Sequence, residues 1–187
     1  MRSLIAAGAM LVSMVAMLGA TTTTDADKPG PGAQAPKTVL QSVIGGKVES
    51  YDLQAAAAKR PVVLYFFPKA FTGGCTIEAK TFAQRYDEFA KLGYDIVGIS
   101  TDDVPTLTNF AKAESAPQRF VSDPDGAITK AFGIATDYQG HTYAGRVTFV
   151  IGTDGKILFK VDDEVPQSNI ASTYDFVKKN PYTPSGS

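Results

Sequence analysis

Cys75 is the only cysteine in the 187 residues, and His141 is the only histidine. A lone thiol closes no internal disulfide, builds no multi-cysteine metal site and has no Cys-x-x-Cys partner for dithiol exchange. One histidine in a polar stretch, with no motif around it, makes no Cys–His hydrolase. The chain has no Gly-rich phosphate loop. What remains for Cys75 is attack as a thiolate, provided its surroundings favour that form. Two other groups suit such chemistry. Thr72 offers a hydroxyl three residues earlier. Arg146 offers a permanently charged fork of donors at the head of the apolar run Val147-Thr148-Phe149-Val150-Ile151.

The elements around Cys75 favour the thiolate. Residues 62–67, Val-Val-Leu-Tyr-Phe-Phe, read as a strand buried on both faces. Pro68 stops it, because proline cannot donate to a ladder. Thr72-Gly73-Gly74 is a turn signal, with Thr72 as a helix cap. Ala79, Phe82, Ala83, Tyr86, Phe89 and Ala90 then recur at helical spacing until Gly93 ends the pattern. Cys75 therefore falls in the first turn of a helix, at the C-terminal end of a central strand. Unpaired N–H groups and the positive end of the helix dipole stabilise an anion there.

Pro68, Thr72 and Cys75 reproduce the spacing Pro, three residues, Thr, two residues, Cys. With Leu-Tyr-Phe-Phe before it and Thr-Ile-Glu-Ala after it, this loop resembles the active site of the peroxiredoxins, in their bacterioferritin-comigratory (Q-type) branch. The resemblance runs over residues 38–179. It implies a thioredoxin-like α/β fold with a mixed central sheet flanked by helices and no cofactor or metal. It implies a thiol peroxidase in which peroxide oxidises Cys75 to a sulfenic acid. It casts Thr72 and Arg146 as groups that hold peroxide and stabilise charge, and Pro68 as the shield of the thiol. Glu78 and Gly74 are weaker candidates for orienting the substrate. Glu78 either orients Arg146 or acts as a first-turn acid on the helix dipole. Tyr65 reads as core packing and His141 as a surface residue.

The sequence departs from that branch at Lys80. Many members carry a resolving cysteine there, five residues after the first. The expected outcome is a one-cysteine enzyme reduced by an outside thiol, either a small thiol or a thioredoxin-like protein. Lys80 itself reads as solvated. Phe71 stands where a polar residue is common. The competing reading is a non-enzymatic thioredoxin-like module for binding or redox sensing. A glutathione-peroxidase-like relative is disfavoured because the chain has no Trp.

The remaining sequence frames this site. Hydrophobic content of 44% and charged content of 20% suit one globular domain, taken as residues 37–180. A net charge of −1 without a basic run excludes a nucleic-acid footprint. Residues 1–20 read as an export signal: Arg2, an apolar run over 4–18, then Gly19 and Ala20. The run is short for a membrane span. Cleavage would leave 17 bases against 19 acids, with no stable membrane association, in a periplasmic or secreted protein. The mature protein is expected to be a monomer or homodimer. Residues 21–36 read as a flexible linker and 181–187 as a tail. Gly45-Gly46 predicts an N-terminal β-hairpin over 38–53, and residues 54–59 a helical turn. Further strands are expected at 95–100, 120–122, 146–151 and 156–161. Helices are expected at 104–113, 127–132 and 167–179, with a loop over 138–145.

Overall fold

The computed structural model describes residues 28–184. The expected export signal and the last residues of the expected tail lie outside them. Among the described residues no helix is long and apolar enough to cross a membrane.

The chain opens with the expected hairpin, β1 (Val39–Ile44) and β2 (Lys47–Asp52). Gly45 and Gly46 both take positive φ, which a two-residue hairpin turn requires. Helix α1 (Leu53–Ala57) follows, capped by the Asp52 carboxylate on Ala55 N at 2.9 Å. Then come β3 (Val62–Phe66), α2 (Gly73–Gln84), α3 (Tyr86–Lys91), β4 (Asp95–Ser100), α4 (Val104–Ala113), β5 (Arg119–Ser122) and α5 (Ala127–Ala131). The chain closes with β6 (Ala135–Tyr138), β7 (His141–Ala144), β8 (Val147–Ile151), β9 (Ile157–Asp162) and α6 (Pro166–Lys179).

Seven strands form one mixed sheet in the order β2-β1-β5-β4-β3-β8-β9. β3 lies parallel to β4 and antiparallel to β8. Each β3 side chain is buried, and alternation divides them between two cores. Val62, Leu64 and Phe66 join Leu53, Phe132 and Phe149 on one face. Val63, Tyr65 and Phe67 join Ala79, Phe82, Phe110 and Ile170 on the other, beneath α2, α4 and α6. This is the mixed sheet between helices that the sequence predicts.

Four expectations change. The single helix predicted from Cys75 to Gly93 is two, because Arg85 leaves helical geometry at φ −100°, ψ 6°. The loop predicted over 138–145 is largely a two-stranded hairpin, β6 with β7. Its strands are mostly exposed, so they carry no apolar alternation to read. Its turn was still encoded, since Gln139 and Gly140 both take positive φ. The described end of the predicted linker is not free. Gly32 N donates to Ile157 O at 2.8 Å, Ile157 N to Ala33 O at 2.9 Å and Ala35 N to Gly155 O at 2.9 Å. These bonds cover the outer edge of β9, an edge that would otherwise expose unpaired backbone. The predicted tail is anchored as well, with Tyr182 N donating to Leu92 O at 2.9 Å.

Candidate active site

β3 delivers the chain to the site. After Phe67, whose N–H still bonds Ile99 O at 3.1 Å, Pro68 ends the ladder and residues 68–72 form a loop. Asp102, just past β4, fixes that loop: its Oδ2 accepts from Ala70 N at 2.7 Å and Ser100 Oγ at 3.0 Å. Phe71 takes φ 63°, in the left-handed region that costs a bulky side chain energy. Its exposed ring rests edge-on against Phe110, centroids 5.2 Å apart. A cleft of about 330 Å³ lies beside the loop, lined by Pro68, Lys69, Asp102 and Tyr143, with the exposed His141 on its rim.

Thr72 occupies the cap position of α2, as expected, but its side chain makes no cap bond. Its hydroxyl donates to Lys69 O at 2.9 Å. A proton given to a carbonyl leaves the oxygen lone pairs as the hydroxyl's remaining contribution in this state. Thr76 N donates to Thr72 O at 2.9 Å as the helix begins. Cys75 lies inside the first turn, where the earlier N–H groups have no intrahelical acceptor. It is a free, buried cysteine.

Arg146 reaches this thiol from the neighbouring strand, β8. β8 runs antiparallel to β3 with Val147 opposite Phe66, so Arg146 stands one step beyond, at the end where β3 releases the loop. Asn169 of α6 secures this corner. It is buried, accepts from Thr148 Oγ1 at 2.7 Å and donates to Arg146 O at 3.4 Å. The guanidinium distributes its nitrogens among three acceptors. Nη2 meets Cys75 Sγ at 3.6 Å, Nη1 bonds the Glu78 carboxylate, and Nε donates to Glu164 O at 3.1 Å. Burial works against the Arg146 charge, yet Glu78 and then Cys75 outweigh it and hold the guanidinium above its usual value. Burial pushes the Glu78 carboxyl up to about 8, against the pull of Arg146.

The site brings Cys75, Arg146, Glu78 and Gly74 together, with Thr72 and Pro68 in the loop that leads in. Glu78 lies beyond the first turn of α2, so the helix-dipole reading of it falls and its contact with Arg146 stands. Gly74 earns its place by lacking a side chain. A Cβ there would approach Arg146 Nη2 to 3.0 Å and Cζ to 3.7 Å. Tyr65 is core, stacked on Phe82 at 4.3 Å, and its hydroxyl accepts from Gln118 Nε2 at 3.3 Å. Lys80 is not merely solvated, because it pairs with Glu114 at the end of α4 at 3.2 Å. Sequence reasoning missed Asp102 and Asn169. The only signal for Asp102 was an acid directly after a buried strand, and for Asn169 an amide on the closing helix.

The AhpC/TSA family model matches residues 31–160. Peroxiredoxin Bcp of Escherichia coli (strain K12) is 38% identical over 136 residues, 71% of this chain and 85% of that protein. The chloroplastic peroxiredoxin Q of Oryza sativa subsp. japonica is 32% identical over 147 residues, 78% of this chain and 65% of that protein. Peroxidoxin BcpB from Mycobacterium tuberculosis superposes with a TM-score of 0.76 at 29% identity, covering 82% of this chain and 99% of that one. Xanthomonas campestris peroxiredoxin Q gives 0.70 at 27% identity, covering 85% and 100%. A cysteine at a helix N-terminus under an arginine fork agrees with these likenesses, and the chain belongs to the AhpC/TSA family, within its Bcp and peroxiredoxin Q branch of thiol-dependent peroxidases.

Proposed function

We propose that Cys75 is the peroxidatic nucleophile and that its substrates are hydrogen peroxide and small organic hydroperoxides. The observation that carries this reading is the Arg146 guanidinium poised 3.6 Å from the Cys75 sulfur while Glu78 and Glu164 O hold its other nitrogens. The thiolate attacks one peroxide oxygen. An S–O bond forms and the O–O bond breaks. Sulfur is oxidised by two electrons to the sulfenic acid, and the departing alkoxide or hydroxide takes a proton from solvent. Arg146 stabilises first the thiolate and then the charge growing on the leaving oxygen, with preorganised donors beside a buried sulfur. The Thr72 oxygen, its proton committed to Lys69 O, is left to accept from the peroxide hydroxyl. Pro68 shields the sulfur, and Gly74 leaves room for the guanidinium.

Recycling falls to an external thiol. The chain has no second cysteine, and Lys80 occupies the place five residues on. A thioredoxin-like protein or a small thiol attacks the sulfenic sulfur, releases water and forms a mixed disulfide, which a second thiol resolves. Residues 1–20 direct export to a periplasmic or secreted location, and the mature protein is a monomer or homodimer with residues 37–180 as its catalytic domain. The mass of the protein recovered from the host tests the cleavage.

The decisive experiment is intact mass after one equivalent of hydrogen peroxide with a sulfenic-acid trap, on wild type and Cys75→Ser. Fast stoichiometric trapping on wild type alone is expected. Trapping no faster than with a simple thiol would refute the assignment.

A further inference from the structure

One cation serves two acids in this site. Cys75 and Glu78 stand three residues apart on α2, so both face the same side at roughly 5–6 Å between Cβ atoms. Both side chains are buried, and both meet the same guanidinium, on Nη2 and Nη1. Glu78 Oε1 has no hydrogen-bond partner, so its carboxyl has an open position for a proton. Among the described residues, the contacts of Cys75, Glu78 and Arg146 include no second cation. Glu164, between β9 and α6, opposes negative charge on Glu78. Tyr65 from β3 faces Cys75 and Glu78, and its burial keeps it a neutral phenol. Asn169 from α6 is neutral and committed to Thr148 and Arg146 O.

We propose that Cys75 and Glu78 share a single negative charge against Arg146, so that Glu78 takes up a proton as Cys75 ionises. This rests on the reading of Cys75 as the thiolate nucleophile. The exchange converts Cys75–SH and Glu78–COO⁻ into Cys75–S⁻ and Glu78–COOH, and the cluster stays neutral overall. Two buried anions against one guanidinium would leave a net negative charge in a low-dielectric site, which is costly. When the thiolate becomes an uncharged sulfenic acid, Glu78 releases its proton to solvent, replacing the one the leaving oxygen took, and becomes the full counter-ion of Arg146. Glu78 is thus a positioning residue that also sets how much thiolate the resting protein holds.

The test is the ultraviolet absorbance of the thiolate as a function of pH, which needs no reagent to reach the buried sulfur. It compares wild type with Glu78→Gln, using Cys75→Ser as the blank. Glutamine keeps an acceptor for Arg146 and removes the competing charge. The expected result is that the thiolate midpoint moves to lower pH by about one unit, roughly tenfold more thiolate below it. A purely orienting role predicts the reverse, since a weaker anchor for Arg146 weakens its hold on Cys75. An unchanged or upward midpoint overturns the proposal. The reciprocal measurement stands if Glu78→Gln does not fold: the ¹³C carboxyl titration of Glu78 in wild type and Cys75→Ser. Coupling is mutual, so the Glu78 midpoint must fall in Cys75→Ser. Equal midpoints overturn the proposal too. Peroxide consumption by wild type, read in parallel, bears on the function of Cys75 and not on the shared charge.

Discussion

Replacing Gly74 with alanine should separate stability from activity. Gly74 is the second residue of α2 and does not take positive φ. On backbone grounds alone, Gly→Ala inside a helix gains about 0.5–1 kcal/mol. The new Cβ would stand 3.0 Å from Arg146 Nη2, closer than an ordinary contact. The guanidinium must therefore yield by a few tenths of an ångström. It is held on Nη1 by Glu78 and on Nε by Glu164 O, so the yielding nitrogen is the one that faces Cys75 Sγ. Hydrogen bonds to charged groups contribute roughly 1.5–3 kcal/mol. Losing one in the transition state slows peroxide reduction by about 10- to 150-fold, at 1.36 kcal/mol per tenfold. The assay is the second-order rate constant for Cys75 oxidation, with thermal unfolding of the same samples. Gly74→Ala should unfold at or above the wild-type temperature and react at least tenfold more slowly. Gly73→Ala is the control. No atom lies within 4 Å of its added Cβ, so it should gain stability at unchanged rate. A Gly74→Ala enzyme with the wild-type rate would refute the argument that Arg146 is wedged against Cys75.

Arg146→Met strips Cys75 and Glu78 of their buried donor, so denaturant unfolding should report a loss of about 1–3 kcal/mol, along with loss of peroxidatic activity. Asp102→Ala strips the acceptor from Ala70 N and Ser100 Oγ. A loss of about 1–3 kcal/mol is expected for the unsatisfied groups, with slower peroxide reaction although Asp102 does not contact Cys75. The raised Glu78 carboxyl has a signed consequence for pH. Burial lifts it from 4.5 to about 8, so its contribution is fully present below pH 4.5 and is lost as pH rises through 8. Relative to wild type, Glu78→Gln should therefore gain stability between these limits, which melting curves across that range measure. A difference that shrinks as pH rises would contradict the assignment.

Much of the site was legible because its determinants are local. The buried run 62–67, Pro68 and the helical spacing after Cys75 lie within one strand–loop–helix, and the structure follows that order. The break at Arg85 was not legible, because the apolar spacing continues across it into Phe89. Nor was the β6–β7 hairpin, whose exposed strands bury too little to leave a pattern.

The sequence by itself determined that a single thiol stands at a helix N-terminus beyond a buried strand, and that no second thiol can resolve it. Hydrophobic periodicity and turn chemistry act over a few residues, so one stretch of chain suffices to specify them. Tertiary structure decided what the thiol faces. Arg146 arrives 71 positions later only because β8 pairs antiparallel with β3 in the register that sets Val147 against Phe66. Asp102 reaches the loop through the parallel pairing of β4, and Asn169 reaches β8 through the packing of α6. A one-residue slip of β8 would turn its side chains to the opposite face, and the guanidinium would leave the thiol. That register is fixed by burial on both faces of the sheet, a property of the assembled core rather than of any single segment.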